Sequence, residues 1–258
     1  MDVSSLFRLD GRVALVTGGS RGIGQMIAEG FIAAGATVYV TSRKADACEA
    51  TAAALGPMCH ALPGDISTVA GVQELARALG EREQRLDILI NNAGAAWAAP
   101  LAEFPENGWD KVMSLNVKTP FFLVQALLPM LKAAGKPSKI INIASVDGLR
   151  PNPWGTYSYT ASKAALIHLT RRLAAELIAD GIVVTALAPG AFPSEMNRAA
   201  REDAEGVAKA IPAGRVGDAQ DIAAAAIYLA SRAGDYVVGS TLAVDGGIVN
   251  ASYFGAAD

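Results

Sequence analysis

Histidine and cysteine are scarce in this chain of 258 residues, which contains two of each. His60 and His168 lie far apart in sequence, with no cysteine or carboxylate at ligand spacing, so we expect no metal site. Cys48 and Cys59 are too few for a disulfide framework. They are typical of reduced thiols in a cytoplasmic protein.

The chain also lacks an excess of positive charge and a long hydrophobic run. Its formal net charge is −3, from 22 basic and 25 acidic residues, and this balance argues against a nucleic-acid partner. Charges occupy the first residues, where a signal peptide needs an apolar core, and no stretch approaches the ~20 apolar residues of a membrane span. We therefore expect a cytoplasmic protein without a membrane partner.

Hydrophobic residues make up 52% of the chain and charged residues 18%, a composition that is typical of one folded globule rather than a disordered tail. There is no internal repeat and no linker rich in proline, glycine and serine. We therefore expect residues 1–258 to form a single dinucleotide-binding catalytic domain.

Short apolar runs alternate with segments of helical period along the whole chain. The runs are almost continuously apolar, as in parallel strands that are covered by helices on both faces. The pattern predicts an α/β fold: a single-domain, Rossmann-type, doubly wound parallel sheet of seven strands with helices on both faces. The predicted strands are Val13–Thr17, Thr37–Thr41, Met58–Leu62, Asp87–Asn91, Lys139–Ala144, Ile182–Leu187 and Thr241–Val244.

A glycine-rich turn, Thr17-Gly18-Gly19-Ser20-Arg21-Gly22-Ile23-Gly24, follows the first predicted strand and opens a helix. In this context the turn can bring backbone N–H groups and the positive end of a helix dipole close to a diphosphate. Glycines also serve tight packing, so the turn alone is weak evidence for a nucleotide site.

The spacing of these glycines departs from the common G-x-G-x-x-G pattern and resembles the T-G-x-x-x-G-x-G turn of the short-chain dehydrogenase/reductase family. Further landmarks of that family follow in order along the chain. They are Asn91-Asn92-Ala93-Gly94, Asn116, Ser145, Tyr159-Thr160-Ala161-Ser162-Lys163, Pro189-Gly190 and Val244-Asp245-Gly246-Gly247. The chain is identified by this resemblance as a member of the family, which implies a nicotinamide-dependent oxidoreductase.

Positive charge at the end of the second strand predicts NADP(H) as the cofactor. Ser42 stands 18 positions past Gly24, where an acidic residue would select NAD, and Arg43 follows it. With Arg21, it offers guanidinium groups suited to a phosphate. The alternative is that Arg43 and Lys44 simply begin the next helix in solvent.

The residues expected to contact the cofactor combine the glycine-rich turn with positions that the resemblance implies. Asp65 resembles the acid that contacts adenine in the family, and it could equally cap a helix that starts near Ser67. The expected contacts are Gly18, Ser20, Arg21, Gly22, Ile23, Gly24, Ser42, Arg43, Asp65, Ile66, Asn92, Ala93, Gly94, Tyr159, Lys163, Pro189, Gly190, Phe192 and Ser194.

Tyr159 and Lys163 are four residues apart on a predicted helix and so project from nearly the same face. A phenol titrates near pH 10, and a neighbouring ammonium can stabilise its ionised form. We hypothesise that Tyr159 protonates a substrate carbonyl oxygen as hydride arrives, and that Ser145 holds that oxygen. The resemblance implies that Lys163 also holds the nicotinamide ribose and that Asn116 supports a proton-relaying water. Tyr157 lacks a lysine four residues further on and is expected in the substrate pocket.

Irregular segments after the strands predict a substrate pocket and a lid around residues 190–212. The segment that begins at Pro189 resembles the P-G-x-x-x-T turn of the family, with Ser194 in place of the usual threonine. Apolar side chains of these segments are expected to line the pocket. They are Trp97, Leu149, Trp154, Tyr157, Phe192 and Met196.

The overall pattern looks most like the 3-oxoacyl-thioester reductases, including the type that acts on the acyl-carrier protein. Ala179-Asp180-Gly181 departs from it, because those enzymes often carry a basic residue there to meet the acidic carrier. A small ketone, a sugar or a polyol is the alternative substrate, and a catalytically silent dinucleotide-binding sensor or scaffold is an alternative of another class. The resemblance also implies a homotetramer with interfaces around Asn107–Ala134 and Ser158–Asp180.

Overall fold

The computed structural model describes residues 2–134 and 137–251, which contain one parallel sheet of seven strands. The strand order is β3-β2-β1-β4-β5-β6-β7, and every neighbouring pair is parallel. The strands are β1 Val13–Thr17, β2 Thr37–Thr41, β3 Cys59–Ala61, β4 Ile88–Asn91, β5 Ser138–Ile143, β6 Ile182–Pro189 and β7 Thr241–Val244. The predicted doubly wound sheet is confirmed. Strands β1, β2 and β7 have the predicted bounds, and the other four shift by one or two residues at one or both ends.

Helices connect the strands and cover both faces of the sheet. No helix within residues 2–134 and 137–251 is long and apolar enough to cross a membrane. The helices are α1 Gly22–Ala33, α2 Ala45–Leu55, α3 Val69–Gly80, α4 Glu106–Met113, α5 Thr119–Ala133, α6 Tyr157–Leu177, α7 Arg198–Glu202, α8 Ala204–Ala208 and α9 Ala219–Ala230. The short helices α7 and α8 lie inside the predicted lid, where the sequence indicated an irregular segment.

Two hydrophobic cores lie on opposite faces of the sheet because successive strand side chains point in opposite directions. Val38 and Val40 of β2 pack in one core with residues of α1, α2 and α9. Tyr39, between them, packs in the other core with residues of α3, α5 and α6. Strands buried on both faces are apolar at most positions, which explains the nearly continuous apolar runs of the sequence.

The sheet changes direction between β1 and β4, which are hydrogen-bonded neighbours although two strands separate them in sequence. The chain proceeds from β1 towards one edge of the sheet, and from β4 towards the other. The segments that follow these two strands therefore diverge and leave a crevice at their carboxyl ends, where doubly wound folds bind ligands. The glycine-rich turn follows β1, and Asn92 follows β4.

Candidate active site

The glycine-rich turn is shaped by positions that no side chain could occupy. Gly18 and Gly22 have φ angles of +64° and +55°, which favour glycine. A Cβ atom on Gly24 would lie 2.4 Å from both the Nδ2 atom of Asn92 and the carbonyl oxygen of Gly18. The backbone of the turn is therefore packed tightly against Asn92, at the end of β4.

Asn92 holds this turn against the end of β4. Its Nδ2 donates hydrogen bonds to the carbonyl oxygens of Thr17, at 2.8 Å, and Gly18, at 3.2 Å. The Thr17 hydroxyl accepts from the backbone N–H groups of Asn92 and Ala93 and donates to the Ile90 carbonyl. The predicted cofactor residue Asn92 thus uses its side-chain amide to shape the turn.

The start of α1 fits a diphosphate group. Within the part of the chain that the structure describes, no side chain caps the first turn of α1, so its N–H groups and dipole face outward. A cavity of about 350 Å³ lies between this helix start and part of the predicted lid, residues 190–212. The cavity is lined by Arg21, Gly22, Gln25, Met26, Glu29, Pro193, Ser194, Glu195 and Arg201.

At the end of β2, Ser42 donates a hydrogen bond to the Lys44 carbonyl, at 3.0 Å, and Arg43 is exposed. Asp65 accepts from the Ser67 backbone, and the hydrogen bonds from Ser67, with the nearby charge of Arg43, lower the pKa of its carboxyl. The alternative that Asp65 caps a helix is wrong, because α3 starts at Val69 and its cap is Thr68. Asp65 and Arg43 therefore lie together where an adenosine 2′-phosphate is expected.

Several predicted cofactor residues have side chains or carbonyls that make contacts within the protein. Ile66 is buried, Ile23 packs against the core, and the carbonyl of Ser20 accepts from the Thr51 hydroxyl. Pro189 ends β6, and a Cβ on Gly190 would lie 2.8 Å from the Cα of Asp245. The close approach at Gly190 joins the base of the lid to the end of β7.

Ser145, Tyr159 and Lys163 meet at the carboxyl edge of the sheet, as the sequence predicted. Ser145 lies two residues after the end of β5, and its hydroxyl accepts from the Asp147 backbone N–H at 3.1 Å. The Nζ atom of Lys163 lies 5.6 Å from the ring centroid of Tyr159 and donates to the Ile143 carbonyl at 2.7 Å. Strand β5 therefore holds both Ser145 and the amine of the lysine on α6.

Burial moves the pKa values of these two groups in opposite directions. It raises the pKa of Tyr159 to about 12, although a hydrogen bond with Ser145 acts to lower it. Burial also lowers the pKa of Lys163 to about 8. The ammonium was expected to stabilise the phenolate, but it is directed at the Ile143 carbonyl and the cost of desolvating the phenolate dominates. The phenol of Tyr159 is consequently protonated at neutral pH.

Asn116 lies in a π-helical segment, Ser114–Lys118, between α4 and α5. Its amide accepts from the Ala95 N–H at 2.8 Å and donates to the Ala95 carbonyl at 2.9 Å and the Ser162 hydroxyl at 3.0 Å. Ser162 in turn donates to the Tyr159 carbonyl. A Cβ on Gly94 would lie 3.2 Å from Asn116 Oδ1 and 3.8 Å from Lys163 Nζ, so the loop after β4 also borders the site.

The sequence analysis missed Ser162 and Asp147. Ser162 connects Asn116 to α6, and its position inside the Tyr-x-x-x-Lys motif was the available signal. Asp147 lies two residues after Ser145, and its negative charge adds to the rise in the pKa of Tyr159. Burial raises the pKa of Asp147 itself. An acidic residue in the loop directly after a strand, on the ligand side of the sheet, could have been identified from the sequence.

The predicted substrate-pocket residues fall into an exposed group and a group whose rings pack against other residues. Leu149, Trp154 and Met196 are exposed at the surface, and Met196 belongs to the lid. The ring of Tyr157 packs edge-on against Phe104, with centroids 5.7 Å apart, and Trp97 packs over Gly108.

Phe192 differs most from its predicted place in the pocket. Its side chain is buried in the core that contains α1 and α9, and a Cβ on Gly217 would lie 2.4 Å from its ring. The prediction that this ring faces the substrate is therefore not supported, because the chain turns it inward under the lid.

Comparison with known proteins agrees with this geometry. Residues 18–249 match a protein-family model described as Enoyl-(Acyl carrier protein) reductase. The chain is 49% identical to the rhamnolipids biosynthesis 3-oxoacyl-[acyl-carrier-protein] reductase of Pseudomonas aeruginosa, over 93% of this chain and 97% of that protein. It is 37% identical to the sorbitol dehydrogenase of Cereibacter sphaeroides, over 93% and 98% respectively. The solved RhlG/NADP active-site complex of Pseudomonas aeruginosa superposes with a TM-score of 0.91 at 48% identity, covering 95% of this chain and 99% of that one.

The lowered pKa of Lys163 predicts a pH-dependent stability difference. Between about pH 8 and pH 10.5 this lysine keeps its proton in the unfolded chain and loses it in the folded chain. The free energy of unfolding of the wild type should therefore rise, relative to Lys163→Met, by up to about 3 kcal/mol across this window. Urea unfolding of both proteins at one protein concentration measures the difference, and other titrating groups cancel because both proteins carry them. A difference that stays constant with pH would contradict the shift.

Proposed function

Because this chain belongs to the short-chain dehydrogenase/reductase family, we propose that it is an NADP(H)-dependent oxidoreductase that transfers hydride between the nicotinamide and a ketone or secondary alcohol. One observation carries the proposal. Ser145, Tyr159 and Lys163 converge at the carboxyl edge of the sheet, beside a glycine-rich turn that fits a diphosphate.

NADP(H) is favoured by the absence of a carboxylate at Ser42 and by the guanidinium of Arg43 beside Asp65. Arg21 and the unsatisfied N–H groups of α1 would hold the diphosphate, and Arg43 the 2′-phosphate. The RhlG/NADP complex is a relative with this cofactor. When bound, the cofactor supplies or accepts the hydride.

Tyr159 is the proposed proton donor to the carbonyl oxygen in the direction of reduction. Its raised pKa keeps the phenol protonated at neutral pH, as an acid requires. Ser145, which acts to lower the pKa of Tyr159, would orient the carbonyl and stabilise the developing alkoxide. Alcohol oxidation needs the phenolate instead, so the same pKa makes the free enzyme a poor base.

Lys163 and Asn116 are proposed to complete the site. The buried amine of Lys163 would hold the nicotinamide ribose while the Ile143 carbonyl keeps it in place. Hydrogen bonds of Asn116 hold the loop at Ala95 and the helix at Ser162 together. The second lone pair of its Oδ1 could accept a hydrogen bond from a relaying water. A π-helical segment at this position is typical of functional sites.

A 3-oxoacyl thioester is the proposed substrate, by analogy with the reductase that shares 49% identity with this chain. Asp180 weakened this proposal at the sequence level because an acid there would repel an acidic carrier protein. In the fold, Asp180 forms an ion pair with Lys132 at 2.8 Å. The ion pair offsets the negative charge of Asp180, so this residue would repel an acidic carrier protein less.

A sugar or polyol is the second candidate, and Asp147 favours it. A carboxylate beside Tyr159 can accept hydrogen bonds from hydroxyl groups next to the reacting carbon. The relative from Cereibacter sphaeroides is a sorbitol dehydrogenase.

We also propose that residues 190–212 form the lid over the substrate. Hydrogen bonds from Gly190 N to Val244 O and from Ala213 N to Gly246 O, both at 2.9 Å, attach its two ends to the segment around β7. Exposed helices and side chains between these points leave the middle of the lid free to move over the cavity.

A cytoplasmic homotetramer is the proposed state of the protein. Both cysteines are buried free thiols, as in a reducing compartment. Apolar side chains are exposed on two separate surfaces, Trp109 and Phe121 on α4 and α5, and Tyr236 and Leu242 around β7. A tetramer built from two-fold axes requires two different self-complementary surfaces on each chain. Sedimentation equilibrium should give four times the chain mass, and a monomer at micromolar concentration would contradict the proposal.

Tyr159→Phe tests the proposed acid. Removing this hydroxyl should lower kcat for ketone reduction by about 10²- to 10⁴-fold, because proton transfer loses its donor. The Kd for NADPH, measured by fluorescence, should stay within about twofold, since the ring remains in place. Tyr228→Phe, on α9, is the control that removes a phenol hydroxyl elsewhere. Reduction at nearly the wild-type rate by Tyr159→Phe would show that another group supplies the proton.

The substrate class is tested by comparing kcat/KM for an acetoacetyl thioester with kcat/KM for sorbitol or fructose. A thioester reductase should prefer the thioester by about 10²-fold or more, because its site is built for an apolar chain. Asp147→Asn should change kcat/KM for the polyol more than for the thioester. The reverse preference in the wild type would establish the polyol candidate.

A further inference from the structure

A guanidinium group of the lid lines the same cavity as the glycine-rich turn. Arg201 lies on α7, and it borders the cavity of about 350 Å³ together with Arg21 and Gly22 from the start of α1 and Ser194 and Glu195 from the lid. None of the motifs in the sequence pointed to this arginine. It is the second arginine that lines this cavity, after Arg21.

Arg201 is neutralised by carboxylates of its own lid. Its Nη1 forms an ion pair with Glu195, and its Nη2 lies 2.8 Å from Oε1 of Glu202. The side chains of Arg201 and Glu195 are 40% and 48% exposed. Ion pairs with this exposure stabilise a protein little, so another anion can replace either partner at small cost.

The position of Glu195 does not fit a role that consists only of holding the lid closed over a cofactor. Its carboxylate lines the cavity that the diphosphate would enter, and two negative groups in one confined space repel each other. A diphosphate that displaced Glu195 from Arg201 would remove this repulsion. It would also gain the forked, charge-assisted hydrogen bonds that a guanidinium makes with phosphate.

We propose that Arg201 is a positioning residue for the cofactor diphosphate and that Glu195 is the group that the diphosphate displaces from it. This inference rests on the proposed function, since it takes NADP(H) as the ligand. The displacement requires little movement of the backbone. A Cβ atom on Gly22 would lie 3.2 Å from the Cβ of Ser194, so the lid already touches the turn and only the side chains need to rotate.

The competing explanation is that the Arg201–Glu195 pair only fastens the lid. In that case, removing either partner breaks the same contact, and Arg201→Gln and Glu195→Gln must change cofactor binding in the same direction. The proposed exchange requires opposite directions, because Arg201 attracts the diphosphate and Glu195 competes with it.

The experiment measures Kd for NADPH by fluorescence with the full chain at low ionic strength. Arg201→Gln should raise Kd by about 5- to 20-fold, as expected for a lost charge-assisted hydrogen bond, and Glu195→Gln should lower it by about 2- to 5-fold. Both changes should shrink at high salt because the groups are exposed. Arg198→Gln is the matched control, since it removes an exposed arginine from the same helix α7. Binding of 2′-AMP, which lacks the diphosphate, should be unchanged by Arg201→Gln.

Hydrogen exchange of residues 194–202 supplies a readout that does not depend on activity. Without NADPH, both variants should exchange faster than the wild type, since each loses the ion pair. With saturating NADPH, Glu195→Gln should become as protected as the wild type and Arg201→Gln should not.

Two results would overturn the inference: equal weakening of NADPH binding by both variants, or no change of Kd in Arg201→Gln. A wild-type chain that binds 2′-AMP and NADPH but reduces no ketone would overturn the proposed function and leave the inference standing. A wild-type chain that binds no NADPH would overturn both.

Discussion

The close contact between the glycine-rich turn and Asn92 is the constraint on which the site depends. It spans the point where the sheet changes direction, so that one amide group joins the ends of β1 and β4. A side chain at Gly24 would occupy the position of that amide. Asn92 satisfies the carbonyls of the turn. The N–H groups at the start of α1 face the crevice, where they and the helix dipole can stabilise an anion.

Helix α6 and strand β5 supply the reactive groups above this crevice, and burial determines their chemistry. Desolvation favours the neutral form of both the phenol of Tyr159 and the amine of Lys163. An acid that retains its proton suits carbonyl reduction. The Ile143 carbonyl holds the amine, and the contacts of Asn116 with Ala95 and Ser162 hold the helix. The positions of these groups are therefore set by hydrogen bonds that reach β5, the loop after β4 and α6.

The sheet and the reactive groups do not determine which substrate the enzyme prefers. Relatives of similar coverage include an acyl-thioester reductase and a sorbitol dehydrogenase, so the sheet and the reactive groups are compatible with both substrates. Trp154 and Met196 are exposed, and the charge of Asp147 acts on Tyr159. The Arg201–Glu195 pair lies within residues 190–212 and borders the cavity beside the start of α1.

The sequence by itself determined the seven strands, the glycine-rich turn and the spacing of Tyr159 and Lys163, because each depends on local periodicity or on residues one helical turn apart. Only the tertiary structure decided the burial of Phe192, the use of Asn92 to hold the turn, the cap of α3 at Thr68 and the direction of the pKa shift at Tyr159. The pairing of Arg201 with Glu195 across the lid belongs to the same group. Most of these features depend on which distant atoms surround a side chain, and desolvation and close packing act through neighbours in space, which a pattern along the chain does not identify.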